Sequence, residues 1–149
     1  MKTLSVNNQE SSKAALEVIE IIQPLLPRET PTKKMREVWR ERFTQRGWIS
    51  NYLIPGSKQS ITLWRDEVGL CIQLGNVCRA STDLLKLETL HRLGRIREAI
   101  LIVPSKLYAA FLGSNYASFT TASRDLSTFS AAVTVPITII EYHPTDLQG

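Results

Sequence analysis

The chain has 149 residues, 43% of them hydrophobic and 21% charged. That is enough apolar side chain for one packed core and too much for a disordered polymer. Lys and Arg number 18 against 14 Asp and Glu, a formal net charge of +4. This mild surplus suits a polyanionic partner and an ordinary, slightly basic protein alike, and it argues against an acidic mimic of nucleic acid. The cysteines, Cys71 and Cys78, have only His91 and His143 as companions, which is not zinc spacing. No apolar run at the N-terminus resembles a signal peptide, and no window approaches the ~20 apolar residues of a membrane helix. A cytoplasmic, reduced protein with no membrane partner is expected.

In chain order, residues 1–9 are polar and expected to be a flexible N-terminus; residues 10–149 are expected to form a single domain. Ser11 or Ser12 caps a first helix to about Gln23, whose apolar residues Ala15, Leu16, Val18, Ile19 and Ile22 recur at helical spacing. Pro24 and Pro27 end it. A second helix is predicted over 33–46, with Met35, Val38, Trp39 and Phe43 as its apolar stripe and Gly47 as its stop. A strand follows over 48–54. A hairpin comes next, with strands 60–64 and 68–76 joined by a polar turn at 65–67. Residues 83–93 predict a leucine-rich helix, 99–103 a buried strand ended by Pro104, and 105–116 another helix. Residues 114–130 are rich in Ser and Thr and read as loop with some helix. The last strand is predicted over 132–142, with Pro136 forcing a bulge or edge inside it. The sum is an α/β (or α+β) chain, with a small mixed central sheet flanked by helices.

The hairpin carries the functional question. With Asp66 and Glu67 at its tip, paired residue numbers sum to 133, so Thr62 faces Cys71 and Ser60 faces Gln73. Cys71 and Gln73, two apart in a strand, point to one face. The run Cys71-Ile72-Gln73-Leu74-Gly75-Asn76, followed by Asp83-Leu84-Leu85-Lys86-Leu87, Gly94-Arg95-Ile96 and 99–104, resembles the PD-(D/E)xK nuclease superfamily. The resemblance is to the type II restriction endonuclease branch typified by BglII and BamHI. There the returning strand reads Glu-x-Gln-(aromatic or Leu)-Gly-Asn/Lys, and an Asp lies about nine residues before the Glu.

The resemblance implies a restriction-endonuclease-like core and places Gln73 at the final catalytic polar position. It also puts Cys71 where the Glu stands and Thr62 where the Asp stands. Neither is a useful Mg²⁺ ligand, since a thiolate is soft and a hydroxyl carries no charge. Asp66 and Glu67 fall at the hairpin tip, either as a solvated turn or as relocated metal ligands; Glu20, or Glu17, is a candidate accessory acid. Cys71 reads as a core thiol, and Gln73 as a catalytic relic or a polar group at a sheet end. No resident cofactor is expected, except Mg²⁺ if the protein is active.

Double-stranded DNA is the partner the resemblance implies. Lys33, Lys34, Arg36 and Arg40 on the second helix, together with Arg79 and Asn76 after the hairpin, are the candidate contacts. For the helix the alternative is a solvated face balanced by Glu37 and Glu41. Three functions remain open. The first is a non-cleaving DNA-binding or interaction protein of a defence system, as a homodimer or as the inactive partner of an active subunit. The second is a working Mg²⁺-dependent endonuclease with relocated carboxylates. The third is a regulator that binds a nuclease or another protein.

Overall fold

The computed structural model describes residues 2–7 and 12–147. Its elements run β1 (Thr3–Val6), α1 (Lys13–Ile22), α2 (Thr32–Gln45), β2 (Ile49–Leu53), β3 (Ser60–Arg65), β4 (Val68–Ile72), α3 (Val77–Arg92), β5 (Glu98–Pro104), α4 (Lys106–Leu112), α5 (Phe119–Thr128) and β6 (Ile137–Tyr142). The strands form one sheet in the order β1-β6-β5-β4-β3-β2. The inner strands β4, β5 and β6 are parallel, and antiparallel partners flank them on both sides. Parallel neighbours need crossovers, which α3 supplies between β4 and β5, and α4 with α5 between β5 and β6. Among the described residues, no helix is long and apolar enough to cross a membrane.

Both faces of the central strands are covered, so these strands read as continuous apolar runs. On β5, Ile100 and Ile102 point into a core built with α1, α2 and Tyr108 of α4; Ala99, Leu101 and Val103 point into a second core under α3 and α5. In the first core Trp39 meets Tyr142 edge-on with centroids 4.8 Å apart, and Tyr108 meets Tyr142 at 5.5 Å. In the second, α3 lies close against β4 over Gly69. A Cβ there would come within 3.0 Å of Ile96 and 3.1 Å of Leu87 and Ile61.

The first helix begins at the expected cap, with the Ser12 hydroxyl accepting from Ala15 N at 2.9 Å. Ser11 lies outside the described residues, as do Met1, Asn8 and Gln9. Several expectations are corrected. Thr3–Val6, expected to be frayed, is an edge strand antiparallel to β6, with Leu4 and Val6 packed on the second core. Strand β4 ends at Ile72 rather than Asn76, and α3 begins at Val77 rather than Asp83. The reason is capping: the Asn76 side chain accepts from Cys78 N at 2.9 Å, so the polar Gly75-Asn76 pair opens the helix instead of ending the strand. Strand β6 begins after Pro136, whose carbonyl accepts from Ala99 N, so the proline precedes the ladder. Within the Ser/Thr-rich stretch, Ser118 and Thr121 form a reciprocal capping box that starts α5.

One buried acid ties the second core together. Glu88 of α3, 5% exposed, accepts from the backbone N–H groups of Thr134 and Val135, the Thr134 hydroxyl and Arg92. Burial raises its carboxyl, but the hydrogen bonds from Arg92, Val135 and Thr134 outweigh that and hold it at about 2. A carboxylate depressed from 4.5 to about 2 adds stability that is fully present above pH ~5. That contribution, on the order of 3 kcal/mol, is lost as pH falls toward 2. Glu88→Ala is expected to destabilise the protein by about 2–4 kcal/mol at pH 7 and to flatten its loss of stability below pH 5. Urea titrations of both proteins across pH 2–7 check this; parallel curves would remove Glu88 from the account.

Candidate nucleic-acid interface

The hairpin turns as its sequence requires. Asp66 and Glu67 both take positive φ, 48° and 64°, as a two-residue primed turn demands. The ladder pairs Leu63 with Leu70, Trp64 with Gly69 and Arg65 with Val68. Past Leu63 the pattern changes. Strand β2 pairs Ser50 with Leu63 and Tyr52 with Ile61, and passes over Asn51 (φ 54°) and Thr62 between them. The Thr62 hydroxyl instead accepts from Ile72 N at 3.0 Å.

At this irregular point, where β4 ends and α3 approaches, lies a hollow of about 370 Å³. Thr62 and Ser60 line it from β3, Cys71 and Gln73 from the end of β4, and Asn51 from β2. Arg36 and Arg40, one turn apart on α2, face it from one side; Arg79, Asp83 and Lys86 face it from α3, at the i, i+4 and i+7 spacings that share a helix face. The carboxyl ends of parallel strands are where open α/β sheets take ligands.

Four cationic side chains and one carboxylate therefore meet here. Gln73, 5% exposed, donates through Nε2 to Asp83 Oδ2 at 2.6 Å. Burial raises the Asp83 carboxyl above its ordinary range, against the pull of Gln73, Lys86 and Arg79. Burial also pushes the Cys71 thiol well up, with Asp83 adding to it, so Cys71 is a neutral thiol at pH 7. Arg36 donates to the Leu74 carbonyl at 2.9 Å, and Lys86 to the Ser60 carbonyl at 3.2 Å.

Of the residues the sequence singled out, the fold gathers Thr62, Cys71, Gln73, Arg36, Arg40 and Arg79 around this one hollow. The other candidate acids are held elsewhere. Asp66 Oδ2 lies 3.7 Å from Arg65, and Glu67 is paired with Arg97 at 3.0 Å, both at the hairpin tip. Glu17 is taken by Arg65, and exposed Glu20 lies 3.7 Å from Arg46. Lys33 and Lys34 are exposed on α2 outside the hollow, and Asn76 is the cap of α3, at the edge of a neighbouring depression. Asp83 is the residue that the sequence did not assign to the site, and Lys86 reads from the sequence equally as a nucleic-acid contact or as an ordinary exposed helix residue. Their signal was the spacing of Arg79, Asp83 and Lys86, visible only once the helix is known to start at Val77.

The model of the family "Restriction endonuclease BglII/BglIII" matches residues 5–141. The chain belongs to this restriction endonuclease family. Among solved structures, it resembles restriction endonuclease BglII complexed with a DNA 16-mer, with a TM-score of 0.80 and 12% identity over 94% of this chain and 74% of that one. It also resembles free BglII, with a TM-score of 0.71 and 14% identity over 98% and 81% of the two chains. No curated protein sequence matches it. The family and the fold expected from the hairpin motif are thereby established as those of a restriction-endonuclease-like protein of the PD-(D/E)xK type.

Active members of such a family use Mg²⁺, a hard cation held by oxygen ligands, usually two or more carboxylates. The donors at this BglII-family site do not fit it. The hollow offers one carboxylate, raised by burial and engaged by Gln73; a neutral thiol; and a hydroxyl that already accepts from Ile72 N. Four cations surround them. Among the described residues, no three His, Cys, Asp or Glu side chains come together so as to hold a metal ion. Thermal unfolding is accordingly expected to be unchanged, within about 1 °C, by millimolar Mg²⁺ or Mn²⁺. A rise of several degrees would reveal a metal site.

Proposed function

We propose that this chain is a non-cleaving member of its nuclease family that binds double-stranded DNA. In this reading it serves a restriction-type defence system as a DNA-binding subunit rather than as the cutting one. The observation that carries the reading is the content of the hollow at the end of β4, where Arg36, Arg40, Arg79 and Lys86 surround a single carboxylate. Hydrolysis of a phosphodiester needs a metal or an equivalent means of generating a nucleophile and stabilising the leaving oxygen. Cations without paired carboxylates can bind a phosphate and supply neither. One of the two similar BglII structures is a complex with a DNA 16-mer, which supports duplex DNA as the ligand class.

Binding of this kind is electrostatic and releases counterions. Three or four phosphate contacts, one at the hollow and the others on exposed cations such as Lys33 and Lys34 of α2, give a slope of log K against log salt of about −3 to −4. In a fluorescence-anisotropy titration with a short duplex, the slope is expected in that range, with affinity the same in EDTA as in Mg²⁺. Arg79→Ala is expected to weaken binding. Supercoiled plasmid incubated with Mg²⁺ or Mn²⁺ is expected to stay intact; metal-dependent nicking or linearisation would contradict the reading.

A further inference from the structure

The cations around the hollow are arranged, not merely present. Arg36 is fixed by the Leu74 carbonyl and Lys86 by the Ser60 carbonyl, and each keeps further N–H donors after that bond. Arg40, which lines the hollow, has its Nε buried with no acceptor among the described residues, so its guanidinium keeps donors that no protein group occupies. The groups that would oppose an anion are few: Cys71 carries no charge at pH 7, and Asp83, held in place by Gln73 Nε2, is one carboxylate among four cations.

We propose that this hollow seats one phosphate group directly on Arg36, Arg40, Arg79 and Lys86, with no divalent cation between protein and phosphate. The side chains thus do electrostatically what a metal does in an active nuclease, and without activating water. The proposal rests on the DNA reading above for the source of the phosphate. A second hollow, also about 370 Å³ and lined by Thr32, Leu74, Asn76, Asn115 and Tyr116, shares Arg36 and Arg79 with the first. Gly75 lines this second hollow. A Cβ at that position would lie 3.1 Å from Gln73 Oε1 and 3.8 Å from an Arg36 guanidinium nitrogen, so the lack of a side chain leaves those two groups uncrowded. Two adjoining hollows that share Arg36 and Arg79 suit a phosphate within a strand, which brings neighbouring groups with it. Inorganic phosphate offers the same oxygens and is the simplest probe.

The test is an NMR titration of the full chain with inorganic phosphate in EDTA, following the arginine side-chain Nε–H signals, beside an anisotropy titration with a duplex in the same buffer. Phosphate is expected to shift the Arg40 signal without metal. Arg40→Gln, and separately Arg79→Ala with Lys86→Gln, are expected to weaken phosphate binding about tenfold or more. The charge-matched pair Lys106→Ala with Arg124→Ala, outside both hollows, is expected to leave it unchanged. Arg79 is exposed, so Arg79→Ala alone keeps the test valid if Arg40→Gln fails to fold. Phosphate binding that appears only with Mg²⁺, no binding by the wild type, or an equal loss in the control pair would each overturn the proposal. If phosphate binds but the duplex does not, the seat stands and the DNA reading fails. If the duplex binds equally well to all variants in EDTA, the DNA reading stands and the seat fails.

Discussion

The packing of α3 on β4 is the contact on which everything at the cleft depends. Leu84, Leu87 and Leu90 bury one side of α3 in the second core, and Gly69 lets the helix come down onto the strand without a Cβ between them. That close approach fixes the rotation of the helix. With the leucines inward, Arg79, Asp83 and Lys86 turn toward the end of β4, where Asp83 meets Gln73. Glu88, on the same helix, is anchored to the segment leading into the last strand through Thr134 and Val135. Core packing and cleft geometry are therefore set by the same helix, and a shift that loosened one would misplace the other.

The electrostatics of the cleft follow from which groups the fold leaves there. A site that binds Mg²⁺ concentrates negative charge and relies on the ion to draw the phosphate in. Here the strand positions facing the cleft carry a hydroxyl and a thiol, and the helices on either side bring guanidinium and ammonium groups. Arginine suits this role, because its planar fork of donors matches phosphate oxygens and it stays charged at any accessible pH. Asp83 opposes this field with a single carboxylate, which the four surrounding cations outnumber and which Gln73 holds by one oxygen. In the proposed function, the same scaffold with a different handful of side chains holds a polyanion instead of delivering an activated water.

Much of this was legible in the sequence, for identifiable reasons. The apolar runs of β5 and β6 and the periodic stripe of α2 report burial directly, so the layered sheet could be read from them. The hairpin register followed from the turn, because two polar residues at the tip leave one way to pair the flanking strands. Local capping chemistry was harder to weigh. The Gly75-Asn76 pair continues an apolar strand by composition yet caps a helix by hydrogen bonding, and that ambiguity concealed the position of Asp83. The edge strand Thr3–Val6 escaped because its Thr-Leu-Ser-Val alternation spans only four residues at a polar end of the chain and takes its order from pairing with β6. The gathering of Arg36 and Arg40 with Arg79 and Lys86 is a tertiary event between helices some forty residues apart, for which no spacing rule exists.

The most direct measurement is a crystal structure of the protein with a short duplex, grown in Mn²⁺ and probed by anomalous scattering. The account requires a backbone phosphate within hydrogen-bonding distance of the Arg40 guanidinium and no anomalous peak between Thr62, Cys71, Gln73 and Asp83. A Mn²⁺ ion bound by Asp83 and bridging to the phosphate would contradict it, and would make this hollow a metal site after all.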